Sequence, residues 1–141
     1  MTTIVDTGPL VASADRADKH HVSCAALLRR LIIERERLVV TMPVVTEVCW
    51  LLEKHQGPDA EARFLDLISS GTFELASLAR EDAGRMAELV RQYSGFPLGM
   101  VDASVITAAE RLGAGQIATL DRRHFTAIRP RHVNALTLLP E

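Results

Sequence analysis

Aromatic side chains are scarce in this sequence, at 4% of 141 residues. A core of any size therefore has to be assembled from Val, Leu, Ile and Ala. Cysteine is scarcer still: Cys24 and Cys49 are the only two, each inside an apolar helical pattern. That placement reads as two buried free thiols, not as a disulfide or a zinc site, and it points to a reducing, cytoplasmic compartment. No apolar run approaches the roughly 18 residues that cross a bilayer, so no membrane span is expected. The first residues lack a basic segment followed by an apolar stretch, and no signal peptide is expected either. Nor is there an excess of one charge. A formal net charge of −2 argues against binding nucleic acid through bulk electrostatics. Any such contact has to be local, through clustered arginines or a bound metal.

What is present suits a globular protein with a real core: 48% of residues are hydrophobic and 24% charged, and this length normally makes one domain, here residues 1–141. Thr2 to Val5 is a β-branched run that ends at Asp6, where Thr7-Gly8-Pro9 breaks it. From about His20 to Arg35 the residues Cys24, Leu27, Leu28, Leu31 and Ile32 fall on one helical face. Leu38 to Thr41 is a second strand. Pro43 suits the first turn of a helix running to about His55, where Gly57-Pro58 stops it and opens another that ends near Gly71. Thr72 to Leu75 reads as a third strand, Arg80 to Tyr93 as a helix, and Ser94 to Met100 as a loop. Val101 to Leu112 is helical and closed by Gly113. Gln116 to Leu120 is a fourth strand ending at Asp121, and Ala135 to Leu138 a candidate fifth. Short apolar strands alternating with helices indicate an α/β fold with a parallel sheet covered by helices. Ligands of such sheets bind beyond the carboxyl ends of the strands.

Four acids stand where ordinary folding does not ask for them. Asp102 begins a helix whose Val105, Ile106 and Ala109 share its face, and a carboxylate beside an apolar stripe is costly unless something compensates it. Glu47 lies at the edge of the face formed by Val44, Val48 and Leu51. Asp6 and Asp121 both follow strands. Each has a plain alternative: a helix N-terminal acid, a boundary glutamate in solvent, a turn aspartate, a capping aspartate. Taken together they read differently. Two come from parallel-strand ends and two from helices that can point at the same crevice. Several carboxylates share a crevice only with a cation or with large pKa shifts. Oxygen ligands without paired cysteines or converging histidines favour Mg²⁺ or Mn²⁺ over zinc. The histidines at 20, 21, 55, 124 and 132 show no convergent spacing and read as structural or surface residues.

Ile4-Val5-Asp6-Thr7, Val45-Thr46-Glu47-Val48, Val101-Asp102-Ala103-Ser104 and Ala118-Thr119-Leu120-Asp121-Arg122-Arg123-His124-Phe125 together resemble the PIN domain. More narrowly, they resemble the toxin subunits of VapBC-type toxin–antitoxin pairs. Each motif is short, and their order, spacing and total length carry the likeness across most of the chain. The resemblance implies a three-layer α/β/α fold around a central parallel sheet. It implies endoribonuclease activity dependent on Mg²⁺ or Mn²⁺, with Asp6, Glu47, Asp102 and Asp121 as the acids. Thr7 and Thr119 match the family's accompanying hydroxyls and are expected to orient carboxylates. A homodimer held inactive by a small antitoxin protein is implied as well.

On this reading Asp6, Asp102 and Asp121 hold the metal directly or through water. Glu47 ligates a metal or orients the attacking water, and the products carry a 5′-phosphate and a 3′-hydroxyl. Arg122 and Arg123 are candidates for phosphate contact, against the simpler reading of a solvated pair. Two rivals remain at this stage. A phosphatase with Asp6 as nucleophile commonly needs a second Asp at position 8, which is Gly8. A non-catalytic metal- or protein-binding module of the same fold is the other, and the full set of acids argues against it.

Overall fold

A computed structural model describes residues 1–141. Twelve elements follow in order: β1 (Thr2–Val5), α1 (Thr7–Ala14), α2 (His21–Ile33), β2 (Arg37–Thr41), α3 (Met42–Gln56), α4 (Pro58–Ser69), β3 (Glu74–Ala76), α5 (Arg80–Gln92), α6 (Met100–Leu112), β4 (Gln116–Ala118), α7 (Arg122–Ala127) and β5 (Thr137–Leu139). The strands form one parallel sheet in the order β3-β2-β1-β4-β5.

β1 is the middle strand and is buried from Thr3 onward. A strand covered on both faces needs side chains that are apolar on both, and Ile4, Val5, Leu38, Val39, Val40, Ile117 and Ala118 supply them. From β1 the chain moves outward through β2 to β3, then crosses back to β4 on the other side of β1. Right-handed crossovers therefore place α1 to α4 on one face and α5 and α6 on the other, giving three layers. The core is a single cluster of 30 buried residues. On the second face α5 is tied to α6 by Arg85, whose Nε and Nη2 donate to the two carboxylate oxygens of Glu110 at 2.8 Å each.

Five elements differ from the sequence-based expectation: α1, β4, α7, β3 and β5. Thr7-Gly8-Pro9 ends the strand but also starts α1, which the sequence reading did not include. Pro9 sits in the first turn, where its missing N–H costs nothing. β4 stops at Ala118, so Asp121 lies three residues past the strand instead of at its end. It caps α7, a six-residue helix too short to show a period. β3 and β5 begin two residues later than expected. Cys24 is buried as expected, while Cys49 is only half-buried; both are free thiols. No helix is long and apolar enough to cross a membrane.

Candidate metal centre

The order of the sheet reverses between β1 and β4, and this switch point is where parallel sheets open a crevice at their carboxyl ends. Asp6 leaves β1 at that point in an extended conformation and serves as the N-cap position of α1. Its backbone N–H donates to Ala118 O at 2.9 Å, which keeps β1 and β4 together to the last residue. Across the gap the Thr119 hydroxyl donates to Asp6 Oδ2 at 2.8 Å and accepts the Asp121 N–H at 3.0 Å. One threonine thus fixes both aspartates.

Two helices complete the crevice. Asp102 is in the first turn of α6, and Glu47 lies in the second turn of α3. Their N-termini are joined by a buried hydroxyl pair, Thr41 Oγ1 and Ser104 Oγ, 2.8 Å apart. Asp6, Thr7, Gly8, Glu47, Asp102, Leu120 and Asp121 line one open cleft of about 450 Å³. All four acids singled out in the sequence therefore meet. Space is tight at Gly8: a Cβ on it would stand 3.1 Å from Leu120 Cβ, so Leu120 would have to give by a few tenths of an ångström.

The electrostatics are those of a cluster short of positive charge. Asp6 is 6% exposed, and burial raises its pKa from 3.8 to about 6. Hydrogen bonds from Thr119 and the Thr7 backbone oppose that rise, and the charges of Asp102 and Glu47 add to it. Burial also raises the Asp102 carboxyl above its ordinary value; the bond to His124 pulls it back, and Asp121 and Glu47 push it up again. Glu47 is exposed and has no hydrogen-bond partner in the chain.

A divalent cation fits this donor set. The donors are carboxylate and hydroxyl oxygens, as hard cations require. The Thr7 hydroxyl, buried in the wall of the cleft, has no hydrogen-bond partner at all, and a buried hydroxyl left unpaired is costly unless a ligand completes it.

His124 is the residue the sequence reading missed. Its Nδ1 lies 2.9 Å from Asp102 Oδ2 and 2.8 Å from Asp121 Oδ2, and the ligand atoms of these three residues lie within 4.8 Å of one another. It is neither a surface nor a remote structural histidine. The arginines beside it are both exposed. Arg122 donates to the backbone oxygen of Pro140 at 2.9 Å, and the Arg123 guanidinium stands 5.6 Å from the centre of the Phe96 ring.

A parallel sheet with an acid cluster at its switch point defines the class of fold, and comparison with known proteins gives the family. The PIN domain model matches residues 3–129, and the chain belongs to the PIN family. Among curated relatives, Ribonuclease VapC26 of Mycobacterium tuberculosis is 34% identical over 137 residues, which is 97% of this chain and 99% of that protein. The chain also superposes on the crystal structure of VapC20 of Mycobacterium tuberculosis, a sarcin-ricin loop cleaving toxin. The TM-score is 0.72 at 16% identity, covering 82% of this chain and 86% of that one. VapBC2 from Rickettsia felis, bound to a DNA fragment from its promoter, superposes with a TM-score of 0.67 at 17% identity, covering 98% and 97%. At these identities the structural likenesses speak for the fold.

Proposed function

We propose that this protein is a metal-dependent endoribonuclease and the toxin of a type II toxin–antitoxin pair, acting as one PIN-type unit over residues 1–141. The observation that carries the reading is the meeting of Asp6, Glu47, Asp102 and Asp121 in one cleft beside the unpaired Thr7 hydroxyl. The ribonuclease that matches nearly the whole chain supports the activity, and the toxin–antitoxin complex among the structural neighbours supports a small antitoxin protein as partner. A homodimer in the cytoplasm belongs to the same reading.

Asp6 and Asp102 would hold the cation through the oxygens not already committed within the protein, with Asp121 as the third carboxylate of the set. Mg²⁺ or Mn²⁺ suits the oxygen donors. When bound, such an ion lowers the pKa of a coordinated water and neutralises charge on the scissile phosphate. The chain's own contributions are separable. Thr119 fixes the Asp6 carboxylate against β4, and Thr7 offers a hydroxyl oxygen. Glu47, exposed with both oxygens free, orients the attacking water and takes up its proton. In-line attack at phosphorus leaves a 5′-phosphate and a 3′-hydroxyl. The exposure of Arg122 and Arg123 supports them as candidates for contact with RNA phosphates.

The test is cleavage of total cellular RNA by antitoxin-free protein, with Mg²⁺, with Mn²⁺ and with EDTA, comparing wild type and Asp6→Asn. Discrete metal-dependent products from wild type alone are expected. Absence of any cleavage by folded wild type would move the assignment to a non-catalytic binding module.

A further inference from the structure

His124 is held more firmly than a bystander needs to be. Its backbone N–H donates to Asp121 Oδ1 at 3.2 Å, and its ring packs edge-on against Phe96 with centroids 4.8 Å apart. Its Nδ1 then reaches Asp121 Oδ2 and Asp102 Oδ2 together. Asp121 thus holds His124 through its backbone with Oδ1 and sets Oδ2 2.8 Å from the ring nitrogen, while the ring's hydrogen bond goes to Asp102 Oδ2. A carboxylate so engaged is poorly placed to ligate directly and well placed to orient an imidazole. Asp102 has one oxygen on His124, and its Oδ1 has no partner. Asp6 is arranged alike, with Oδ2 on Thr119. Each of these two carboxylates is anchored through its Oδ2, a pattern that outer partners of metal sites impose.

We infer that His124 is a positioning residue of the acid cleft: its Nδ1–H, oriented by Asp121, fixes the Asp102 carboxylate so that Oδ1 faces the cation. The assignment rests on the metal-dependent reading above and adds to it. It gives Asp121 a role different from that of Asp6 and Asp102, as the orienter of a donor and not as a direct ligand. It also separates His124 from the nitrogen ligand that its distance to the acids would otherwise suggest. A histidine ligand uses a bare nitrogen, whereas an imidazole set against carboxylate oxygens has its proton on that nitrogen.

Two measurements test this, and the first needs no metal. Long-range proton–nitrogen NMR on the metal-free wild type reports which ring nitrogen of His124 carries the proton. Protonated Nδ1, with a signal that shifts in Asp121→Asn and in Asp102→Asn, is expected. An unprotonated Nδ1 overturns the inference whether or not the protein binds metal. The second is Mn²⁺ titration followed by electron paramagnetic resonance. His124→Leu is expected to weaken binding about 10–100-fold, and His124→Asn, which keeps an N–H donor near the same place, to restore most of it. Pulsed spectra of the Mn²⁺-loaded wild type should show no directly bound nitrogen, and a directly bound nitrogen overturns the inference. Should the leucine variant not fold, the asparagine variant and the wild-type spectra still decide. If wild type binds no Mn²⁺ at all, the metal-dependent reading fails, and the metal-free NMR still decides the clamp.

Discussion

Two hollows of similar size draw on two of the same helices, α1 and α3. The N-terminal end of α1 gives Thr7 and Gly8 to the acid cleft, about 450 Å³ in volume. Its other end gives Leu10, Ser13 and Ala14 to a groove of about 510 Å³ between α1, α2, α3 and α4. One of seven residues lining the cleft is hydrophobic, against 11 of 15 lining the groove. Volume does not separate them; chemistry does. In the groove, Phe64 packs on Phe73 with centroids 6.1 Å apart and adds to stability by burial alone. In the cleft, burial acts against the charged form of Asp6, so stability is given up where the carboxylates have to stand ready.

The largest effect should come from Asp6→Asn in the cleft. Metal-dependent RNA cleavage should fall by more than about 100-fold, beyond what loss of an outer partner costs, while the fold survives. Rates on a mapped substrate check this, and a variant that still cleaves would remove Asp6 from the site. Phe64→Ala makes the opposite cut in the groove. It should cost about 3–5 kcal/mol of stability and leave Mn²⁺ affinity unchanged in whatever fraction stays folded; denaturant unfolding and a metal titration together read both. A matching loss of metal affinity would mean that the hollows are coupled through α1 or α3.

The pH dependence sharpens the same contrast. The Asp6 carboxyl binds its proton more tightly when folded, because its pKa rises from 3.8 to about 6. Its contribution is then most favourable below about pH 4 and is lost as pH rises through about 6, a swing of about 3 kcal/mol for a shift of roughly two units. Asp102 is shifted in the same direction and adds to the decline. In metal-free protein, wild type should lose stability over that window relative to Asp6→Asn, and added Mn²⁺ should abolish the loss. A flat difference between the two would contradict the burial of Asp6. The smallest effect is expected from Gly8→Ala, which presses on Leu120 between Thr119 and Asp121. A cost of about 1–2 kcal/mol with weakened Mn²⁺ binding is expected, readable by thermal unfolding and titration.

Much of this was legible from residue order. The strands around Ile4, Val39 and Ile117 announce themselves as apolar β-branched runs, and α6 announces itself by its period and by Gly113, which adopts the left-handed conformation at φ 67°. Parallel strands followed by aspartates then locate the crevice. What escaped had physical reasons. Gly8 and Pro9 read as breakers because their cost in a helix interior is high, and that cost vanishes in a first turn. Thr119 takes up two partners by its side chain just past β4, where an apolar run suggested more strand. His124 hid because α7 has no period to read. The one signal available was its spacing, three residues after a capping aspartate, the separation at which a side chain and a cap reach one another.

The Thr41–Ser104 contact has a consequence beyond holding two helices together. Apolar side chains between α3 and α6 could settle at a range of separations as their rotamers changed. A hydroxyl pair has one narrow preferred length, and here it is set at 2.8 Å in the buried interior. The gap between the helices bearing Glu47 and Asp102 is therefore gauged at its root, like callipers locked at the hinge. Neither Thr41 nor Ser104 lines the cleft, yet together they set how wide its jaws stand.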